Sequence, residues 1–384
     1  MVFKAAEMAV LQPTVSLLDV QFYGQASNEV EDLIAVSSPT MLGRRVLVLN
    51  DSVSVASRPV VEASEISSAK GNHDFTPRIR SGSFADIGRR RSMEDEHIRI
   101  DDLSSHFGSL FKFPSPGAFY GVFDGHDGPE AAAYVRKNAS KIFFEDANFP
   151  QTTQVSDMFL EEVAISLRKA FLQADLALAD DPTINSLTGT TALTAFIFER
   201  ILMIANAGDC RAVLCRKGIA IDMSQDHRPI YPSERKRVED SGGYVDVDGY
   251  LDGVLSVSRS LGDWEMKSHQ NSPLIAEPEV QLTCLTEEDE FLIIGCDGIW
   301  DVMTSQHAVT VARRELRRHG DPSRCARFVA MEALRFSTQD NLTVIIVCFS
   351  SDNMEGWGAR QHRTRQRISA EGFCSLRSLL DPDH

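Results

Sequence analysis

The sequence predicts an α+β fold built in layers, and two observations carry that prediction. Short apolar runs follow one another with only brief polar connections, the pattern of antiparallel strands joined by hairpins. Helical stretches stand between groups of strands rather than after every strand, which argues against a doubly wound parallel sheet. At 384 residues with 43% hydrophobic content, the chain is long enough for one large domain with extensions, and length alone would also admit two.

Residues 1–80 are rich in Ser, Val and small polar residues without sustained periodicity, and are expected to form a mostly disordered N-terminal extension. A folded domain is expected over 81–351 and a C-terminal tail over 352–384. Within the domain, AFYGVFD (118–124) is a short apolar run ending in Asp-Gly, suited to a buried strand and a tight loop. Pro129 then stands at a good first helical position. Phe159, Val163, Leu167, Ala170, Phe171 and Ala174 form one apolar stripe of a helix over 156–180. TALTAFIF (191–198), ILMIANA (201–207) and RAVLCRKG (211–218) have the spacing of a three-stranded meander. EFLIIGCD (290–297) is a further buried strand before a helix expected to be capped by Ser305. Asp321-Pro322 opens another helix, and LTVIIVCF (342–349) is the last buried strand.

Composition excludes several function classes. The net charge is −16, nearly all of it in residues 81–351, so no general nucleic-acid binding is expected, because a polyanion needs a basic face. The seven cysteines are scattered without a CxxC pair, against a disulfide framework or zinc site. No apolar run approaches membrane-spanning length, and the N-terminal stretch is interrupted by Glu7 and Pro13. A soluble intracellular protein without membrane attachment is expected, in the cytoplasm, the nucleus or both. The RQHRTRQR run (360–367) reads as a solvated charge run or a weak localisation patch.

Three aspartates lie at the tips of the most apolar runs. Asp124 and Asp297 follow strand ends, and Asp340 precedes a strand start. In an antiparallel sheet those positions share an edge, so the three carboxylates can converge, and an all-oxygen cluster suits hard cations such as Mg²⁺ or Mn²⁺. Asp-Gly after a strand is also a common turn, and Asp340-Asn341 can be one too. His97 reads equally as an orienting group or as a satisfied strand histidine. Gly189, Thr190 and Thr191 read as packing beneath such a site.

The literal strings add to this. RRRSMEDEH (89–97), FYGVFDGHDG (119–128), TGTTA (188–192), ANAGDCRAVL (205–214), DHRP with the following Glu and Arg (226–237), LSVSRSLGD (255–263), CDGIWDVM (296–303) and QDNLTVIIV (339–347) resemble, in order and spacing, the metal-dependent protein phosphatases of type 2C, especially plant members. The resemblance implies a four-layer α-β-β-α sandwich of two stacked, mainly antiparallel sheets flanked by helices. It also implies a serine/threonine phosphatase that hydrolyses phosphorylated proteins with a hydroxide bridging two Mg²⁺ or Mn²⁺ ions. Asp124 matches the bridging ligand, the Gly125 carbonyl its neighbour, and Asp297 and Asp340 the remaining carboxylates. Glu94 matches an acid that holds one ion, with Asp95 beside it, and Asp209 one that helps hold a looser third ion. Arg90 matches the arginine that grips the substrate phosphate, and His126 is the candidate general acid for a poor alkoxide leaving group. Cys210 and Cys296 stand where Ser is frequent in the family, and neither removes a ligand. Residues 264–276 are, by position, where substrate choice is expected, and a monomer is expected. The rival reading is an inactive relative that binds phosphoproteins as a scaffold, which should have lost metal aspartates that this chain keeps.

Overall fold

The structure, a computed structural model, describes residues 75–267 and 272–350. Most of the expected N-terminal extension, the C-terminal tail with its RQHRTRQR run, and part of the 264–276 stretch lie outside the described residues.

Two five-stranded antiparallel sheets stack face to face. The first has the order β1 (Arg78–Asp86), β13 (Leu342–Ser350), β12 (Asp289–Gly295), β8 (Arg211–Arg216), β9 (Ile219–Asp222). The second has the order β11 (Glu279–Cys284), β7 (Ile201–Ala207), β6 (Ala192–Phe198), β3 (Gly117–Phe123), β2 (Glu96–Ile100). A small third sheet joins β10 (Leu261–Gly262), β5 (Gly189–Thr190) and β4 (Gly125–His126). The first strand thus starts at Arg78, inside the stretch read from sequence as extension.

The layers follow from strands whose two faces are both apolar. In β3, Ala118, Tyr120 and Val122 point between the sheets, where they join Leu193, Ile204, Leu214, Leu292, Ile294 and Val347. Phe119 and Phe123 point the other way, into a phenylalanine-rich layer with α1 (Leu103–Phe107), α2 (Glu130–Lys137), a π-helical turn (Lys141–Asp146) and α3 (Asp157–Asp180). Phe119 and Phe196 lie there with ring centroids 4.6 Å apart. On the far side, α6 (Ser305–His319) and α7 (Pro322–Arg335) set Val309, Ala312, Val329 and Ala330 against Ile293, Val344 and Ile346 of the first sheet. This is the four-layer α-β-β-α sandwich.

Local signals account for most helix boundaries. The Ser156 hydroxyl accepts from the Phe159 amide at 3.2 Å, and Asp321 accepts from the amides of Ser323 and Arg324 ahead of Pro322. The expected stripe of α3, from Phe159 to Ala174, is buried. Two expectations are corrected. The cap of α6 is Thr304, which accepts from the His307 amide, while the Ser305 hydroxyl donates to Asp222 at 2.6 Å. The three-stranded meander also fails. β6 and β7 form the expected hairpin, but β8 pairs with β12 and β9 in the other sheet. The Gly208–Cys210 link carries the chain between layers, with Gly208 at φ 118°. Such a link looks like a hairpin turn in sequence, and because both faces of every central strand are apolar, periodicity does not say which sheet a strand joins.

Candidate metal centre

The layered fold brings loop ends from both sheets to one edge. Asp124 follows β3, Asp209 follows β7, Asp95 precedes β2, and Asp297 opens the one-turn helix α5 (Asp297–Trp300) directly after β12. Asp124, Asp209 and Asp297 offer ligand atoms within 4.8 Å of one another, and so do Asp95, Asp124 and Cys296. The TGTTA string lies beneath them. The Thr191 amide donates to the Asp124 carbonyl at 2.9 Å, the Thr190 hydroxyl donates to it at 3.1 Å, and the Thr191 hydroxyl accepts from the Asp124 amide at 3.3 Å. Glycine is needed where the chain passes closest: a Cβ on Gly125 would lie 2.5 Å from the Glu94 carbonyl oxygen.

Electrostatically the cluster is short of positive charge. Burial, then the charges of Asp95, Asp297 and Asp209, push the Asp124 carboxyl far above the usual carboxylate range. Burial, then Asp209 and Asp340, do the same to Asp297, with Arg228 opposing. Burial lifts Asp95 to about 6, and lifts Asp209 to about 6 against the pull of Arg228. Arg228 is the cation inside the group, with one terminal nitrogen 2.9 Å from Asp209, 3.5 Å from Asp297 and 2.6 Å from Asp301. Asp95 Oδ2 is buried without a hydrogen-bond donor, and Asp209 Oδ2 has the charge of Arg228 at 2.9 Å but no aligned hydrogen bond. Orphaned carboxylate oxygens, mutual repulsion and an oxygen-rich donor set together fit hard divalent cations.

The rim carries the remaining sequence-derived residues. Asp340 turns to Arg90, whose terminal nitrogen lies 2.6 Å from its carboxylate. Asn341 ties this rim together, since its side chain accepts from the Glu94 amide at 2.8 Å and donates to the Ile87 and Ser92 carbonyls. The Glu94 carboxylate accepts from the Ser92 hydroxyl at 2.7 Å and stands outside both close clusters, where Asp95 is found. His126 reaches Asp263 through Nε2, 2.8 and 3.0 Å from its two oxygens, and Asp263 also accepts from the Ser260 hydroxyl. Burial opposes a charge on His126, but the hydrogen bond and charge of Asp263, with Asp127 and Asp209 behind it, outweigh burial and raise its pKa. His97 is a strand histidine bonded to the Ser83 hydroxyl at 3.0 Å. Cys210 and Cys296 are fully buried, and burial first pushes both thiols well above their usual range, which disfavours the reactive thiolate.

Sequence reasoning missed four participants: Arg228, Asp263, Asp301 and Asn341. Each stands inside one of the strings quoted above, yet no local periodicity marks it. Its role comes from a partner distant in sequence.

The family model described as "Protein phosphatase 2C" matches residues 79–342. A rice protein named "Probable protein phosphatase 2C 2" is 55% identical over 97% of this chain and 98% of its own length. "Probable protein phosphatase 2C 13" of Arabidopsis thaliana is 55% identical over 80% of this chain and 81% of its own. Among solved structures, the serine-threonine phosphatase 2C from Toxoplasma gondii superposes with a TM-score of 0.57 at 21% identity, covering 72% of this chain and 98% of that one, which speaks for the fold. The chain belongs to the protein phosphatase 2C family. It is a metal-dependent protein serine/threonine phosphatase with plant-like relatives. No helix among the described residues is long and apolar enough to cross a membrane.

Proposed function

We propose that Asp124, Asp297, Asp340 and the Gly125 carbonyl, with Glu94 at the rim, hold two Mg²⁺ or Mn²⁺ ions, and that Asp209 stands beside a looser third. The observation that carries this reading is the convergence of Asp124, Asp209 and Asp297 within 4.8 Å beside a rim that bears Arg90. When bound, the ions supply the acidity that makes a water nucleophilic at neutral pH and offset charge on the phosphoryl oxygens.

The chain's own residues do the rest. Arg90, half exposed, binds Asp340 through one nitrogen and keeps further N–H donors for phosphate oxygens. Asp263 accepts from Nε2 of His126 and favours the charged ring, leaving the Nδ1 proton to pass to the departing serine or threonine alkoxide. Substrates are phosphoserine and phosphothreonine in proteins. The protein acts as a monomer in the cytoplasm, the nucleus or both, without general affinity for nucleic acid.

The test is hydrolysis of a phosphothreonine peptide with Mn²⁺, Mg²⁺ or EDTA. Activity should require the metal and fall by about a thousandfold or more in Asp124→Asn and in Asp297→Asn. A folded wild type with no metal-dependent turnover would leave a phosphoprotein-binding scaffold as the reading.

A further inference from the structure

Arg228 holds an unusual position for a half-buried arginine. It sits among Asp209, Asp297 and Asp301, and a single terminal nitrogen makes all three contacts, at 2.9, 3.5 and 2.6 Å. A structural arginine normally engages a carboxylate with a two-pronged fork. Elsewhere in this molecule Arg211 does so with Asp226, at 2.9 and 2.5 Å. No fork holds Arg228: its terminal nitrogen donates one hydrogen bond, to Asp301 at 2.6 Å, while Nε is buried with no acceptor and Asp209 Oδ2 has no directed hydrogen bond despite its nearness. Toward Asp209 and Asp297 the contact is one of charge rather than of fitted geometry.

The backbone around it is held by hydrogen bonds of the preceding residue. His227, the preceding residue, donates its amide to the Gly208 carbonyl at 2.9 Å and receives the Gly208 amide at Nδ1 at 3.2 Å. The loop that carries Asp209 is thereby stapled to the loop that carries Arg228. The Arg228 side chain remains 23% exposed, so an outward path exists.

We propose that Arg228 is a built-in counter-cation that occupies the Asp209–Asp297–Asp301 side of the centre and must be expelled before a further divalent ion can bind there. The inference rests on the reading of Asp124 and Asp297 as metal ligands and concerns a different question, namely what limits occupancy beyond the first two ions. A guanidinium supplies one positive charge to three carboxylates, and a divalent ion supplies two at shorter range. The ion can thus displace the guanidinium, but the guanidinium is tethered in place whereas the ion must be drawn from solution, so the presence of Arg228 raises the ion concentration at which exchange occurs. Residue 228 sets how high.

The experiment is equilibrium binding of Mn²⁺ to the full chain, followed by the electron paramagnetic resonance of free Mn²⁺ and by titration calorimetry. Wild type, Arg228→Gln, Arg228→Met and the double variant Arg228→Gln/Asp301→Asn are compared, with circular dichroism to confirm folding. Arg228→Met keeps the aliphatic stem in case the glutamine variant does not fold. The weakest Mn²⁺ site should tighten by about tenfold or more in both single variants, because a competing charge is gone, and the double variant should lose that gain. Wild type that binds Mn²⁺ alongside single variants whose weakest site is unchanged or weaker would overturn this proposal alone. So would a raised KM for phosphopeptide with unaltered ion binding, which would make Arg228 a substrate contact. Wild type that takes up no Mn²⁺ would overturn the two-ion reading and this proposal with it.

Discussion

Two buried groups of charge in this molecule use the same residue type to opposite ends. Glu234, on the helix Pro232–Asp240 (α4), receives two nitrogens from Arg259 at 2.6 and 3.1 Å, two from Arg237 at 2.9 and 3.2 Å, and the Ser258 hydroxyl at 2.7 Å. Burial alone would raise its pKa, but the hydrogen bonds and charges of Arg259 and Arg237 prevail and hold it well below the usual carboxylate range. At the sheet edge, Asp95, Asp124, Asp209 and Asp297 are all pushed upward, with Arg228 the cation among them. A carboxylate that the chain itself saturates is structure. Carboxylates that it gathers and leaves underpaired are suited to bind a cation that brings the missing charge from outside.

The contrast can be tested, beginning with the largest effect on stability. Glu234→Gln should destabilise by about 3 kcal/mol in urea unfolding, because two buried arginines lose their counter-charge. A cost near zero would mean that the network contributes nothing net. Asp263 is an intermediate case, a buried carboxylate partnered by His126 and Ser260. Asp263→Asn should lower kcat by about ten- to a hundredfold with little change in KM, since it acts through His126 rather than on the substrate. Asp124→Asn should do the reverse of Glu234→Gln: in EDTA it should stabilise the fold by about 1 kcal/mol while abolishing turnover, because it removes one of several repelling buried charges. A loss of stability would break the comparison.

The smallest effect is in pH. Glu234 has a folded-state pKa below its unfolded one, so its contribution is complete above the ordinary glutamate range near about 4.3 and is lost as pH falls through the folded value. The stability gap between wild type and Glu234→Gln should therefore be constant from pH 7 to 5 and narrow below that. A gap that widens on acidification would contradict the depressed pKa.

Much of this was legible in the sequence, for identifiable reasons. The runs at 118–124, 191–198, 290–297 and 342–349 are strands because they are short, apolar and bounded by turn residues, and Asp124 and Asp297 could be seen at the ends of the first and third. The placement of β8 was not legible, since a strand apolar on both faces fits either sheet. Nor were Arg228 and Asp263 legible as members of the site. A loop arginine and a turn aspartate acquire meaning only when folding sets Asp209 and His126 against them.

The last strand has a consequence for timing. β13 is inserted between β1 and β12, and the Asp340-Asn341 pair at its start closes the rim against Ile87, Ser92 and Glu94. On a ribosome, every other part of the centre emerges first and waits. Until residues 340–350 leave the exit tunnel, the first sheet has a gap in its interior and the loop carrying Arg90 lacks the Asn341 and Asp340 contacts that hold it against the rim. A chain that stops short of this strand lacks both the middle of its first sheet and Asp340, and is expected to show no turnover.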